Sequence, residues 1–153
     1  MLKIAFIQAL LLIAILQVNA ASVSFLIIET GLSEGMPISR HSTLWENSLM
    51  DVFFESGHIV SNAPRLRLQV APGEGLPIQA EMDFQDAVEG GMDYFIIAII
   101  SHPAPNNVSL RLFSTESEEV LFEHNYTDVT TRSVREELEA VLDEVRVLAA
   151  HVR

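Results

Sequence analysis

The chain has 153 residues, enough for one domain and too few for two comfortable ones. Lysine and arginine total 9 against 21 aspartates and glutamates, a formal charge of −12, and there is no cysteine. The acidic balance argues against a nucleic-acid or anionic-lipid partner, which both need a basic face. The missing cysteines remove disulfides, thiolate metal sites and cysteine nucleophiles.

The first twenty residues, "MLKIAFIQALLLIAILQVNA", read as a signal peptide. Lys3 and the terminal amine give a weakly positive start, residues 4–18 are almost unbroken hydrocarbon, and Val18-Asn19-Ala20 places small residues where signal peptidase cuts. A spanning helix needs about 20 apolar residues, and this run is shorter. The expectation is cleavage between Ala20 and Ala21, a single domain over 21–153, and no stable membrane span afterwards. The alternative is an uncut N-terminal anchor, which intact Met1 on the mature protein would reveal by mass spectrometry. Lys3 is the only lysine, so the mature chain sets eight arginines against 21 acidic residues, a formal charge of −13. With neither a disulfide nor a cysteine to carry a lipid, the exported domain reads as a soluble periplasmic protein of a bacterium.

In chain order, "ASVSFLIIE" from Ala21 suits a first strand buried on both faces. "TGLSEGMPISRH" follows as a loop. Thr43 and Glu46 fit a capping box opening a helix over 44–56, with Trp45, Leu49, Val52 and Phe53 on one face and Gly57 as its left-handed stop. "HIVSNAP" is a short strand. In "RLRLQVAPGEGLP", Leu66, Leu68 and Val70 alternate as an edge strand would, before prolines and glycines break the pattern. A second helix over 78–89 buries Met82 and Val88, with Phe84 as a further candidate, and Gly90-Gly91 closes it.

"GGMDYFIIAIIS" then carries seven apolar side chains in a row, far below membrane length and bounded by turn residues. It reads as a central strand covered on both faces. "NNVSLRLFS" and "EEVLFEHNY" alternate as a β-hairpin with one solvated face. The last segment is a helix: Val134, Leu138, Val141, Leu142, Val145, Leu148 and Val152 step by three and four, and Ser133 to Glu136 fits a capping box. The order β-α-β-α-β-β-β-α describes an α/β (α+β) domain, a mixed sheet packed against about three helices.

Three segments, "LWENSLMDVFFESGHIVSN", "GGMDYFIIAIIS" and "NNVSLRLFSTESEEVLFEHNY", together resemble the small α/β domain shared by the TolB amino-terminal domain, the curli secretion protein CsgG and the lipoprotein activator LpoB. The matching positions are Gly57, Asp93, Tyr94, Leu110, Arg111 and Leu112, all in structural roles. The resemblance implies a cell-envelope domain that binds other envelope proteins and carries no catalytic residues. Departures are Ala98 and Ser117, where such strands and hairpin turns often have glycine, and the absence of a cysteine for lipidation.

Motifs for chemistry are few. His41, His58, His102, His124 and His151 never fall at metal-ligand spacing, so no metal or cofactor is expected. Asp83, Asp86 and Glu89 form an acidic stripe that reads as a solvated helix face. No GxSxG elbow or phosphate-cradling loop occurs. Trp45 reads as core. The 65–77 loop, with Arg65 and Arg67 in an otherwise acidic chain, is the candidate partner-binding surface. The leading expectation is therefore a non-enzymatic periplasmic adaptor that docks an envelope protein through this loop or a sheet edge. Two alternatives differ in class. A small hydrolase would show His58 or His102 beside a carboxylate with a shifted pKa. A small-molecule binder would show a closed apolar pocket under the hairpin.

Overall fold

The computed structural model describes residues 20–33, 35–69, 76–102, 107–127 and 131–151, the side chains of 131–133 and 149–151 excepted. The leader before Ala20, residues 70–75 of the expected loop, and the side chains of Ser133, His151 and Val152 lie outside the described residues. Among the described residues six strands and three helices follow one another: β1 (Ser22–Thr30), α1 (Arg40–Glu55), β2 (Ile59–Asn62), β3 (Leu66–Leu68), α2 (Ile78–Glu89), β4 (Tyr94–Ser101), β5 (Asn107–Ser114), β6 (Val120–Thr127) and α3 (Thr131–His151).

The sheet runs β2-β1-β4-β5-β6, with β3 pairing β1 beyond the end of β2. β1 is parallel to β2, β3 and β4, while β4-β5 and β5-β6 are antiparallel. The two apolar runs, residues 25–28 of β1 and 94–100 of β4, are neighbours at the centre. Strands covered by helices on both faces cannot alternate polar and apolar side chains, so their sequences read as continuous hydrocarbon. The 66–70 ambiguity resolves as a three-residue strand: Leu66 and Leu68 tuck into the core beside α2, and Arg67 faces the other way.

α1 and α3 cover one face. Phe25, Ile27, Ile96, Ala98 and Leu110 of the sheet meet Trp45, Leu49 and Phe53 of α1 and Leu138, Val141 and Val145 of α3. Trp45 packs on Tyr126 with ring centroids 5.6 Å apart. Burial, and then the Glu137 carboxylate, push the Tyr126 phenol up to about 12. Among the described residues α2 covers the other face, setting Ala80, Phe84 and Ala87 against Leu26, Ile28, Phe95, Ile97 and Phe113.

Two details correct the reading of the helices. α1 begins four residues early, because Ser39 caps it by accepting a hydrogen bond from His41 N–H at 3.1 Å. Thr43 instead donates to Ser39 O, and Glu46 pairs with Arg65. In α2 the buried face is Ala80-Phe84-Ala87, so Met82 is exposed and Asp83 is buried, against expectation. The two alanines let the helix approach the strands closely, and that sets its rotation where a larger Met82 does not. Both α1 and α2 end in the same way. Gly57 and Gly91 hold φ of 83° and 69°, and the following residues, His58 and Met92, donate to Phe53 O and Ala87 O. At the hairpin the left-handed residue is Glu118, φ 58°, next to the Ser117 that stands where glycine is usual.

Candidate functional site: the rim at the ends of the parallel strands

β1, β3 and β4 all end on one side of the sheet, and this carboxyl rim is where open parallel sheets place ligands. Glu29, the penultimate residue of β1, is the direct cross-strand partner of Arg67 on β3. Its side chain is fully buried. It accepts from Arg67 Nε at 2.9 Å and from the backbone N–H of Ser39 at 3.1 Å. Because Ser39 caps α1, the Glu29 carboxylate sits at the positive end of that helix and gains from its dipole. Arg67 turns its Nη1 the other way, donating to Met36 O at 2.7 Å. One ion pair, buried on its Glu29 side, therefore clamps the 31–39 connection at two points, and that connection lifts Met36 and Ile38 into solvent, 48% and 56% exposed.

The rest of the rim is tight. Gly31, φ 76°, lies against β4's end: a Cβ there would stand 2.2 Å from His102 O. His102 N–H donates to Thr30 O at 3.0 Å, and Thr30 Oγ1 donates to Ser101 Oγ at 3.2 Å. His41 accepts from Trp45 Nε1–H at 3.3 Å. Burial, with His102 nearby, holds the His41 imidazole below its ordinary range, in the neutral form that can accept this bond. His102 Nε2 is buried without a partner.

Of the two expected partner-binding arginines, Arg67 is part of this rim, with its side chain 39% exposed. Arg65 is not. It is largely buried and pairs with Glu46 of α1, which also accepts from Asn62 Nδ2 at 3.1 Å. Sequence reasoning missed Glu29, which sits inside a strand that otherwise reads as core. The signal was its position opposite an arginine, visible only once β3 is paired with β1.

The two histidines singled out for a hydrolase lie at opposite ends of β1. His58 Nδ1 accepts from Ala21 N–H at 3.0 Å, and its ring packs on Phe53. Burial, with Arg146 adding to it, lowers its pKa, and its Nε2 has no partner. His102 lies close enough to His41 to lower its pKa. Among the described residues no three His, Asp or Glu side chains are placed to hold a metal ion, and no helix is long and apolar enough to cross a membrane. Under the hairpin, Leu76, Phe84, Gln85, Phe113 and Glu118 line an open groove of about 360 Å³, not a closed pocket.

No protein-family model matches the chain, and no curated protein matches it. Among solved structures it is similar to TolB from Acinetobacter baumannii, with 15% identity and a TM-score of 0.47. The match covers 86% of this chain but only 28% of that one. It is also similar to the LpoB C-terminal domain from Escherichia coli (12% identity, TM-score 0.45, 74% and 87% of the two chains). A third is lipoprotein GNA1162 from Neisseria meningitidis (13%, TM-score 0.44, 82% and 96%). TolB and LpoB are two of the proteins whose domain the sequence motifs resemble. All three likenesses are distant, with TM-scores below 0.5.

Proposed function

We propose that the chain is a non-enzymatic adaptor domain of the bacterial periplasm, and that it docks an envelope protein through the rim. The observation that carries this reading is the clamped connection. The pair of buried Glu29 and half-covered Arg67 holds a glycine-bearing loop whose outward residues include the apolar Met36 and Ile38. Exposed apolar side chains on a pinned loop have little ordering entropy left to lose on binding, which is the property of a preorganised interface. The chain's acidity favours a basic partner surface around that apolar contact.

The test is a pull-down with the tagged chain from a cross-linked envelope fraction, read by mass spectrometry. The expected result is one envelope protein enriched over control, and lost from a Met36→Asp, Ile38→Asp double variant whose circular dichroism is unchanged. Enrichment that survives the double variant removes the rim from the reading. No enriched protein removes the adaptor. A tagged chain that fractionates with the cytoplasm refutes the compartment.

A further inference from the structure

At the opposite end of β1 from the rim, α2 leaves a cleft of about 210 Å³ against the β1–β2 edge, lined by Ser24, Ser61, Asn62, Asp83, Asp86 and Met92. Ser24 and Ser61 are direct cross-strand partners, so their side chains stand side by side on the face that α2 covers. Asp83 comes from the helix above and is 92% buried, being 8% exposed. Its Oδ1 accepts from Gln79 Nε2 at 3.3 Å, while its Oδ2 is buried with no partner. Asp86, nearly one turn further along, adds a second, exposed carboxylate.

A carboxylate oxygen removed from water with no donor is costly, and folded proteins leave few of them. This one lies in a cleft whose lining contains no lysine, arginine or histidine. The Asn62 amide N–H is engaged by Glu46, and the rest of the lining offers two carboxylates and two hydroxyls, so an occupant that carries N–H donors and positive charge complements it. Among the described residues no three acidic or imidazole groups converge, and a calcium ion would need about six to eight oxygens with more carboxylate among them. Met92, Ala63, Pro64 and Ala87 form an apolar wall beside the acids, which suits an alkyl stem. The cleft, about 210 Å³ and open to solvent, has room for an ammonium head and the methylenes next to it.

We infer that this cleft is a binding site for a primary alkylammonium group, seated on Asp83 with Asp86, Ser24 and Ser61 around it. A free amine and a lysine side chain share this chemistry. The site is independent of the docking rim, and neither reading depends on the other.

The experiment is titration of the purified ¹⁵N-labelled protein with n-butylammonium chloride and, in a second arm, with Nα-acetyl-lysine methylamide. Amide shifts are followed at Ser24, Ser61, Asp83 and Met92. Saturable shifts confined to these residues are expected from at least one probe, and the tighter arm names the source. n-Butanol and tetramethylammonium, which lack charge and N–H donors respectively, should leave them unmoved. Asp83→Asn should weaken binding about tenfold or more, the loss of a hydrogen bond to a charged group. Asp86→Asn, an exposed change, serves as a second variant and should weaken binding less. The inference is overturned if neither ammonium saturates, if butanol gives the same shifts, if Asp83→Asn binds equally well, or if calcium chloride saturates the site where the amines do not.

Discussion

At the rim, Glu29 is buried with both oxygens engaged, one by Arg67 and one by Ser39 N–H at a helix start. In the cleft, Asp83 is buried almost as deeply, yet only a long contact from Gln79 reaches one oxygen and the other has no partner. The same chemical group therefore plays two roles. Where donors converge on it, a buried charge ties β1, β3 and α1 together. Where they do not, it remains an unsatisfied acceptor that weakens the fold and is free to engage a ligand.

The comparison breaks most decisively at Arg67. Arg67→Met should leave Glu29 buried and half-partnered and release Met36, lowering stability by about 3 kcal/mol in urea unfolding. A loss well under 1 kcal/mol would show that the rim is not held by this pair. Gly31→Ala, forced against His102 O at a left-handed φ, should cost about 2 kcal/mol by the same measurement. A silent substitution there would mean the rim can shift to make room.

The cleft should respond in the opposite direction. Asp83→Asn removes an unpartnered buried charge and should raise stability by about 1 kcal/mol, read as a higher urea midpoint with an unchanged slope. A fall of similar size would mean that Asp83 is satisfied in solution and that the two carboxylates do not differ. The smallest effect concerns a third buried group, His58, partnered on one nitrogen only. Its folded pKa is lowered from 6.5, so the unfolded chain takes up the proton first as the pH falls. Its contribution is fully present above about pH 6.5 and is lost as the pH drops below that value. His41 shifts in the same direction. His58→Asn, which keeps an acceptor for Ala21 N–H, should therefore shallow the loss of stability between neutral and mildly acidic pH without abolishing it.

Much of the fold was legible because hydrophobic pattern reports burial directly. The runs of β1 and β4, the Trp45-Leu49-Val52-Phe53 face of α1 and the Val134-Leu138-Val141-Leu142-Val145 face of α3 are all buried as their spacing requires. Patterns fail where size or pairing overrides hydropathy. α2 rotates to bring alanines onto the sheet, exposing Met82 and drawing Asp83 in. Arg65 and Arg67 stood out as the basic residues of a long loop, but neither carries a free charge. One is covered beside Glu46, and the other is half covered on Glu29.

By itself, the sequence determined the order of elements, the two central strands, the glycine-terminated helices and the faces that meet the main core. Each of these follows from local backbone chemistry or from a period that one segment carries alone. Only the tertiary structure decided that Glu29 meets Arg67, that Ser24 stands beside Ser61 and that Asp83 faces into a cleft. These depend on strand register and helix rotation, which are set by contacts between residues far apart in the chain and leave no local period to read.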